Sequence, residues 1–268
     1  MTRFDTHAHV FKVGLPLAAV CRYVPDYDAT PEDYIKQLDK HGMTNGILIQ
    51  PSFLGTNNDY MLDAIKNNNG RIYGVAVVDP GVSPDYLKKL AANHIIGIRQ
   101  NLVGKPIPDF TANGWPELLK EVKALNWHVE IHHSSEDMDL IIAPLLKAGV
   151  KVVVDHFGKP NPDDPLNDAG FKYLLSIAST GRVWIKISAS YRVGGREKGE
   201  KAAKIMIPTL LKAYGPKRLL WGSDWPHTKN ETIIDYDGAY QAFLDLVPDE
   251  NIQKVILDDA VRELIEKA

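Results

Sequence analysis

Eight short apolar runs, each followed by a longer segment with apolar residues at helical spacing, constrain this chain more than any other feature. The runs are RFDTHAH (residues 3–9), GILIQ (46–50), IYGVAVV (72–78), IIGIRQN (95–101), WHVEIHH (127–133), KVVVDHFG (151–158), RVWIKIS (182–188) and RLLWGSDW (218–225). Between them lie helix-like stretches such as PEDYIKQLDKHG, SPDYLKKLAANH and MDLIIAPLLKAG. Thr30 and Ser83 suit helix N-caps, Pro31 and Pro84 the first helical turn, and Gly42, Gly70 and Gly149 the position after a helix end. Strands this rich in Val, Ile and Leu, joined by crossover-length helices, call for a parallel sheet covered on both faces, and eight of them close most economically into a (β/α)8 TIM barrel. An open doubly wound sheet is the alternative.

At 268 residues and 44% hydrophobic, residues 1–268 suffice for one domain with a large core. A net charge of -3 with mixed signs forms no basic stripe, so neither nucleic acid nor a membrane surface is expected as a partner. The single cysteine, Cys21, cannot form an internal disulfide and suits a reducing, cytoplasmic setting. The start of the chain reads as a strand rather than a signal or membrane span. The oligomeric state is not legible.

In a barrel, side chains at the C-terminal strand ends meet at one mouth. Here those ends carry His7 and His9 on the first strand, Arg99 on the fourth, His132 or His133 on the fifth, His156 on the sixth and Asp224 on the eighth. His7 and His9 are two apart and point the same way, as a pair that can hold a metal or polarise a carbonyl must. On the fifth strand the alternation sets His128, Glu130 and His132 against Val129, Ile131 and His133, and either set can face inward. The connection over residues 11–30, rich in Pro, Tyr and Asp, is long enough to form a lid or substrate wall.

The HxH of the first strand, VDHFGKP of the sixth and RLLWGSDWPH of the eighth resemble the amidohydrolase superfamily, in its amidohydrolase-2 branch, over essentially the whole chain. That branch contains metal-dependent decarboxylases and lactonases, the latter including 2-pyrone-4,6-dicarboxylate lactonases. IGIRQN and KISASYRV resemble the dicarboxylate lactonase side, where arginines and a tyrosine receive substrate carboxylates. The resemblance implies inner-site roles for His7, His9, Asp224 and His156. It leaves the metal open, because some lactonases of the branch work without one. His7, His9 and Asp224, joined by His132 and His156, make a set for one divalent ion such as Zn²⁺, and metal-free catalysis is an equal expectation. Arg99 stands near the strand-four position that bridges two metals elsewhere in the superfamily, and its charge would repel a second ion.

The expected activity is hydrolysis of a small anionic lactone, with Asp224 as general base and His7, His9 and His156 polarising the carbonyl directly or through a metal. Arg99 and Lys105 are expected to bind carboxylate, with Tyr191 and Arg192 as a second clamp. Arg22, Tyr23 and Tyr27 of the long loop, and His227 after GSDWP, are further candidates for substrate contact. The competing expectations are a metal-dependent decarboxylase of the same branch and a non-catalytic binder of small anions.

Overall fold

A computed structural model describes residues 2–68 and 70–266. Eight parallel strands succeed one another in sequence order in one sheet. They are β1 (Phe4–Ala8), β2 (Asn45–Ile49), β3 (Ile72–Ala76), β4 (Ile95–Asn101), β5 (His128–His132), β6 (Lys151–Val154), β7 (Val183–Lys186) and β8 (Leu219–Leu220). The helices that alternate with them are α1 (Pro31–Lys40), α2 (Asp59–Lys66), α3 (Pro84–Ala92), α4 (Trp115–Ala124), α5 (Met138–Ala148), α6 (Ala169–Ser176), α7 (Arg196–Tyr214) and α8 (Tyr236–Leu246). Two short ones, α9 (Glu250–Lys254) and α10 (Ala260–Ile265), follow. This is the (β/α)8 barrel expected from the alternation. The local signals act as expected: Thr30 and Ser83 accept hydrogen bonds from the amides of Asp33 and Tyr86, and Gly149 ends α5 in the left-handed region at φ 84°.

The lower barrel is apolar. Phe4, Ile47, Ile49, Val75, Val153, Trp184 and Leu220 fill it, and Ala260, Val261 and Leu264 of α10 close its base. A larger apolar layer lies between the sheet and the surrounding helices.

β8 is only two residues long, so the barrel is closed by the backbone that follows it. The amide of Thr6 donates to the Trp221 carbonyl (3.0 Å), that of Asp224 to His7 (2.8 Å) and that of His9 to Trp225 (2.8 Å). Gly222 permits this approach, since a Cβ there would lie 2.5 Å from the backbone nitrogen of His7. The buried Asp5 carboxylate ties the same seam. It accepts from the amides of His7 (3.1 Å) and Ser223 (2.8 Å), and from the hydroxyls of Ser223 (2.6 Å) and Tyr236 (3.1 Å).

Two bulges decide which side chains enter the barrel. Along β1, Asp5 to Ala8 spans three residues against two on β2, Gly46 to Leu48. Along β4, Ile95 to Gly97 spans two residues against one on β3, Gly74 to Val75. Each extra residue reverses the alternation. Phe4 and His7 therefore both face the interior, as do Ile96 and Arg99, although each pair is an odd number of residues apart.

Replacing Asp5 by Ala should strand four buried donors and destabilise the fold by about 3 kcal/mol. A urea midpoint within error of wild type would show that the seam does not depend on this carboxylate.

Candidate active site

Above the apolar base lies a layer of buried charge. Glu130 of β5, Lys186 of β7, Arg99 of β4 and Asp155, just past β6, are each 3% exposed or less. Lys186 Nζ donates to Glu130 Oε2 at 2.6 Å and lies 3.4 Å from Asp155 Oδ1. Arg99 Nη2 donates to Asp155 Oδ2 at 3.1 Å, and its Nε is 3.7 Å from Glu130 Oε1. Two cations face two carboxylates, so the layer is neutral, the condition under which charge can be buried at all.

The imidazoles stand on this layer and converge on one oxygen. Asp224 Oδ1 is 3.7 Å from His7 Nε2, 3.9 Å from His156 Nε2 and 4.0 Å from His9 Nε2. Asp224 and His156 occupy the left-handed region, at φ 62° and 49°, a cost of roughly 1 kcal/mol or more each that residues with a Cβ bear only where the surroundings dictate it. The other oxygen of Asp224 is held by Arg192, whose Nε donates at 2.5 Å, and by the Tyr191 hydroxyl. That hydroxyl spends its one proton on Asp224, so His227 Nδ1, 3.1 Å away, donates to it. Burial is the largest influence on the Asp224 carboxyl and disfavours its ionisation, but the Arg192 guanidinium beside it acts the other way, and the carboxyl is held well below its ordinary value. Burial keeps the histidines neutral: His9 is lowered to about 3 and His156 to about 4, while burial and then Lys186 hold His7 well below its ordinary value.

Hydrogen-bond partners settle most of the imidazole protons. His9 Nδ1 faces the Ile49 carbonyl at 2.7 Å and must donate, which leaves Nε2 an acceptor. His7 Nδ1 faces Lys186 Nζ at 3.0 Å and His132 Nδ1 faces Arg99 Nη2 at 3.2 Å. An ammonium and a guanidinium only donate, and although Asp155 Oδ1 lies 3.3 Å from His7 Nδ1, it is Lys186 that meets that nitrogen within hydrogen-bond geometry, which places the proton of both rings on Nε2.

Over this floor opens a cavity of about 430 Å³. Its walls include His9, His132, His156, Tyr191 and Asp224, and five cations: Arg22, Arg99, Lys159, Arg192 and Lys229. Arg99 and Arg192 are committed to carboxylates. Arg22, Lys159 and Lys229 make no ion pair among the described residues; Arg22 donates to Asn101 Oδ1 (3.2 Å), and Lys229 lies over the Tyr23 ring at 5.2 Å.

A zinc ion would find donors of the right kind in the ligand atoms of His7, His9 and Asp224, which lie within 4.8 Å of one another. The wiring is against it. A metal takes the lone pair of an imidazole nitrogen, and on His7 the nitrogen turned to Asp224 bears the proton. The residues present do not fit a resident zinc.

Of the residues singled out in the sequence, His7, His9, His156, Asp224, Arg99, Tyr191 and Arg192 come together, and on β5 it is His132 that lines the cavity. His133 instead pairs with Asp137 (2.9 Å). His227 is buried behind Tyr191 and does not line the cavity. Lys105 is solvent-exposed and is not among the residues that line the cavity; it follows a turn in which its amide bonds the Leu102 carbonyl (3.0 Å) and Gly104 takes φ 70°. Lys159, Lys229 and Arg22 hold the wall in its place. Residues 11–30 fold back on themselves through paired backbone bonds between Phe11 and Ala29 (2.9 Å each). Arg22 and Tyr23 of this loop reach the cavity, while Tyr27 lies behind, donating to Glu231 at 2.6 Å. Sequence reasoning missed Lys186, Asp155, Lys159 and Lys229. The first two carry a legible signal, a charged residue within or directly after an apolar strand run.

Comparison with known proteins matches residues 4–265 to the amidohydrolase family. A curated 2-pyrone-4,6-dicarboxylate hydrolase from Comamonas testosteroni is 30% identical, over 96% of this chain and 88% of its own length. A 4-sulfomuconolactone hydrolase from Hydrogenophaga intermedia is 25% identical, over 96% and 86%. Among solved structures, a probable 2-pyrone-4,6-dicarboxylic acid hydrolase from Acinetobacter baumannii, with citric acid bound, is 38% identical with a TM-score of 0.95 over 99% of both chains.

The buried histidines predict acid sensitivity. An unfolded imidazole titrates near 6.5, whereas His9 is lowered to about 3 and His156 and His227 to about 4. Between pH 6.5 and 4 the unfolded chain thus binds protons that the folded chain refuses, and the stability present above pH 6.5 is lost as pH falls through that window. Tm should drop steadily from pH 7 to 4.5; a constant Tm would contradict neutral burial of these rings.

Proposed function

The chain belongs to the amidohydrolase family, and from that premise we propose that it is a lactonase that hydrolyses a small ring ester bearing two carboxylates. The observation that carries the substrate class is the set of three unpaired cations, Arg22, Lys159 and Lys229, in a cavity whose other two cations already face carboxylates. One carboxylate would leave that excess largely uncompensated; two, bound through charge-assisted hydrogen bonds, balance most of it. A cytoplasmic location accords with the lone, half-buried Cys21, and among the described residues no helix is long and apolar enough to cross a membrane.

On this reading each part of the reaction falls to a group in or beside the cavity. Asp224 Oδ1 and His9 Nε2, 4.0 Å apart, are both acceptors, and a water between them donates one proton to each and turns a lone pair to the substrate carbonyl. As the water oxygen bonds to the carbonyl carbon, Asp224 takes its proton. The charge developing on the carbonyl oxygen is met by N–H donors that line the same cavity, the His132 Nε2–H and the Arg99 guanidinium. Collapse breaks the ring C–O bond, and the departing oxygen receives the proton from Asp224, leaving an open acid and a hydroxyl group. The depressed Asp224 carboxyl is ionised throughout the neutral range, so the base is ready without an activating event. His7 and His156 turn Nε2 to its reactive oxygen, while Tyr191, backed by His227, and Arg192 fix the other. No step passes through a metal.

A decarboxylase of the same family is the second reading, and the protonated Nε2 of His7 counts against the metal it would need.

A panel of dicarboxylated lactones in a pH-indicator assay should show acid release without carbon dioxide. Carbon dioxide would establish the decarboxylase reading, and ligand-induced stabilisation without product would establish a binder. Asp224→Asn should lower kcat by about 10³-fold while Tm is retained. Arg22→Met and Lys159→Met should each raise KM by roughly 10- to 100-fold with kcat little changed, as loss of a charged hydrogen bond implies. Lys105→Ala should match wild type; a KM as high as that of Arg22→Met would return Lys105 to the site.

A further inference from the structure

We propose that Lys186 is a positioning residue that holds the His7 ring with its proton on Nε2 and so keeps the histidine cluster a metal-free site. Lys186 is 1% exposed, does not line the cavity and cannot touch a substrate there. Its Nζ lies 3.0 Å from His7 Nδ1, within hydrogen-bond geometry. An ammonium has no lone pair, so the imidazole nitrogen facing it must supply one. The ammonium is itself held in place from two further directions, by Glu130 Oε2 of β5 at 2.6 Å and Asp155 Oδ1, just past β6, at 3.4 Å. His7 has little freedom to answer otherwise: the ring is wholly buried, and His156 and His9 pack on it at centroid distances of 4.9 and 5.0 Å.

The alternative wiring is also present in the structure. Asp155 Oδ1 is 3.3 Å from the same Nδ1, has no hydrogen-bond partner of its own, and would accept an Nδ1–H if Lys186 were not there. Carboxylate on Nδ1 with a lone pair on Nε2 is the arrangement that suits a metal ligand. His9, bonded through Nδ1–H to Ile49, is already wired that way, and Asp224 Oδ1 completes a three-donor set. One side chain on β7 thus selects between a proton and a cation at the same nitrogen. With the proton in place, His7 presents an N–H to Asp224 Oδ1, 3.7 Å away, and favours the ionised base. The effect on turnover rests on the lactonase reading; the tautomer and the metal preference do not.

The test is nitrogen NMR of ¹⁵N-histidine protein, with the His7 ring assigned by its loss in His7→Gln, together with zinc titration followed by elemental analysis. Wild type should show the His7 proton on Nε2 and should release added zinc on desalting. Lys186→Met should move the proton to Nδ1, tighten zinc binding by roughly 10- to 100-fold, and lower kcat more than it raises KM. Lys186→Met with Glu130→Gln removes one cation and one carboxylate together, and should show the same shift and zinc gain if the single variant fails to fold. A wild-type His7 proton on Nδ1, or equally tight zinc in wild type and variants, would overturn the proposal. Wild type that opens no lactone, with the tautomer and zinc behaviour as expected, would sink the substrate reading and leave the role of Lys186 standing.

Discussion

The structure depends on a neutral layer of charge buried midway up the barrel. Lys186 and Arg99 face Glu130 and Asp155 with almost no solvent, above a base filled by aliphatic and aromatic side chains. Such a layer contributes little net stability, because the desolvation of four charges offsets most of their attraction. Its effect is directional. Each cation has donors left over after its carboxylates are served, and these reach upward to Nδ1 of His7 and Nδ1 of His132. The proton positions at the mouth are therefore imposed from below.

This divides the mouth into acceptors and donors. Asp224 Oδ1 and His9 Nε2 accept; the His132 and His7 Nε2–H groups and the guanidinium of Arg99 donate. Hydrolysis of an ester needs that division, with acceptors to direct a water and donors to receive charge on the carbonyl oxygen. A cluster of histidines near a carboxylate looks metal-binding until the second nitrogen of His7 is followed to its partner. The identity of the residues is compatible with both chemistries, and the hydrogen bonds beneath them separate the two.

Arg192 joins the base to the substrate wall. It is bound to Asp224 and lines the cavity, so the group that holds the carboxyl ionised also faces the incoming anion. The further cations come from separate connections: Arg22 from the loop after β1, Lys159 after β6 and Lys229 after β8. A wall assembled from three loops varies without disturbing the strands that carry the reacting groups, which accords with relatives named for different lactones.

By itself the sequence determined the eight-strand alternation, the helix caps at Thr30 and Ser83, and the polar strand ends His7, His9, Arg99, His156 and Asp224, because these follow from local periodicity and from where apolar runs stop. Tertiary structure alone decided the rest. The bulges in β1 and β4 reverse the alternation and aim His7 and Arg99 inward, and bulges depend on register with a neighbouring strand. The choice of His132 over His133 follows from pairing with β4, and Lys105 is left exposed beside a left-handed turn at Gly104. The proton on His7 is the furthest from the sequence, since it is set by a lysine 179 residues away that closure of the barrel brings within 3.0 Å.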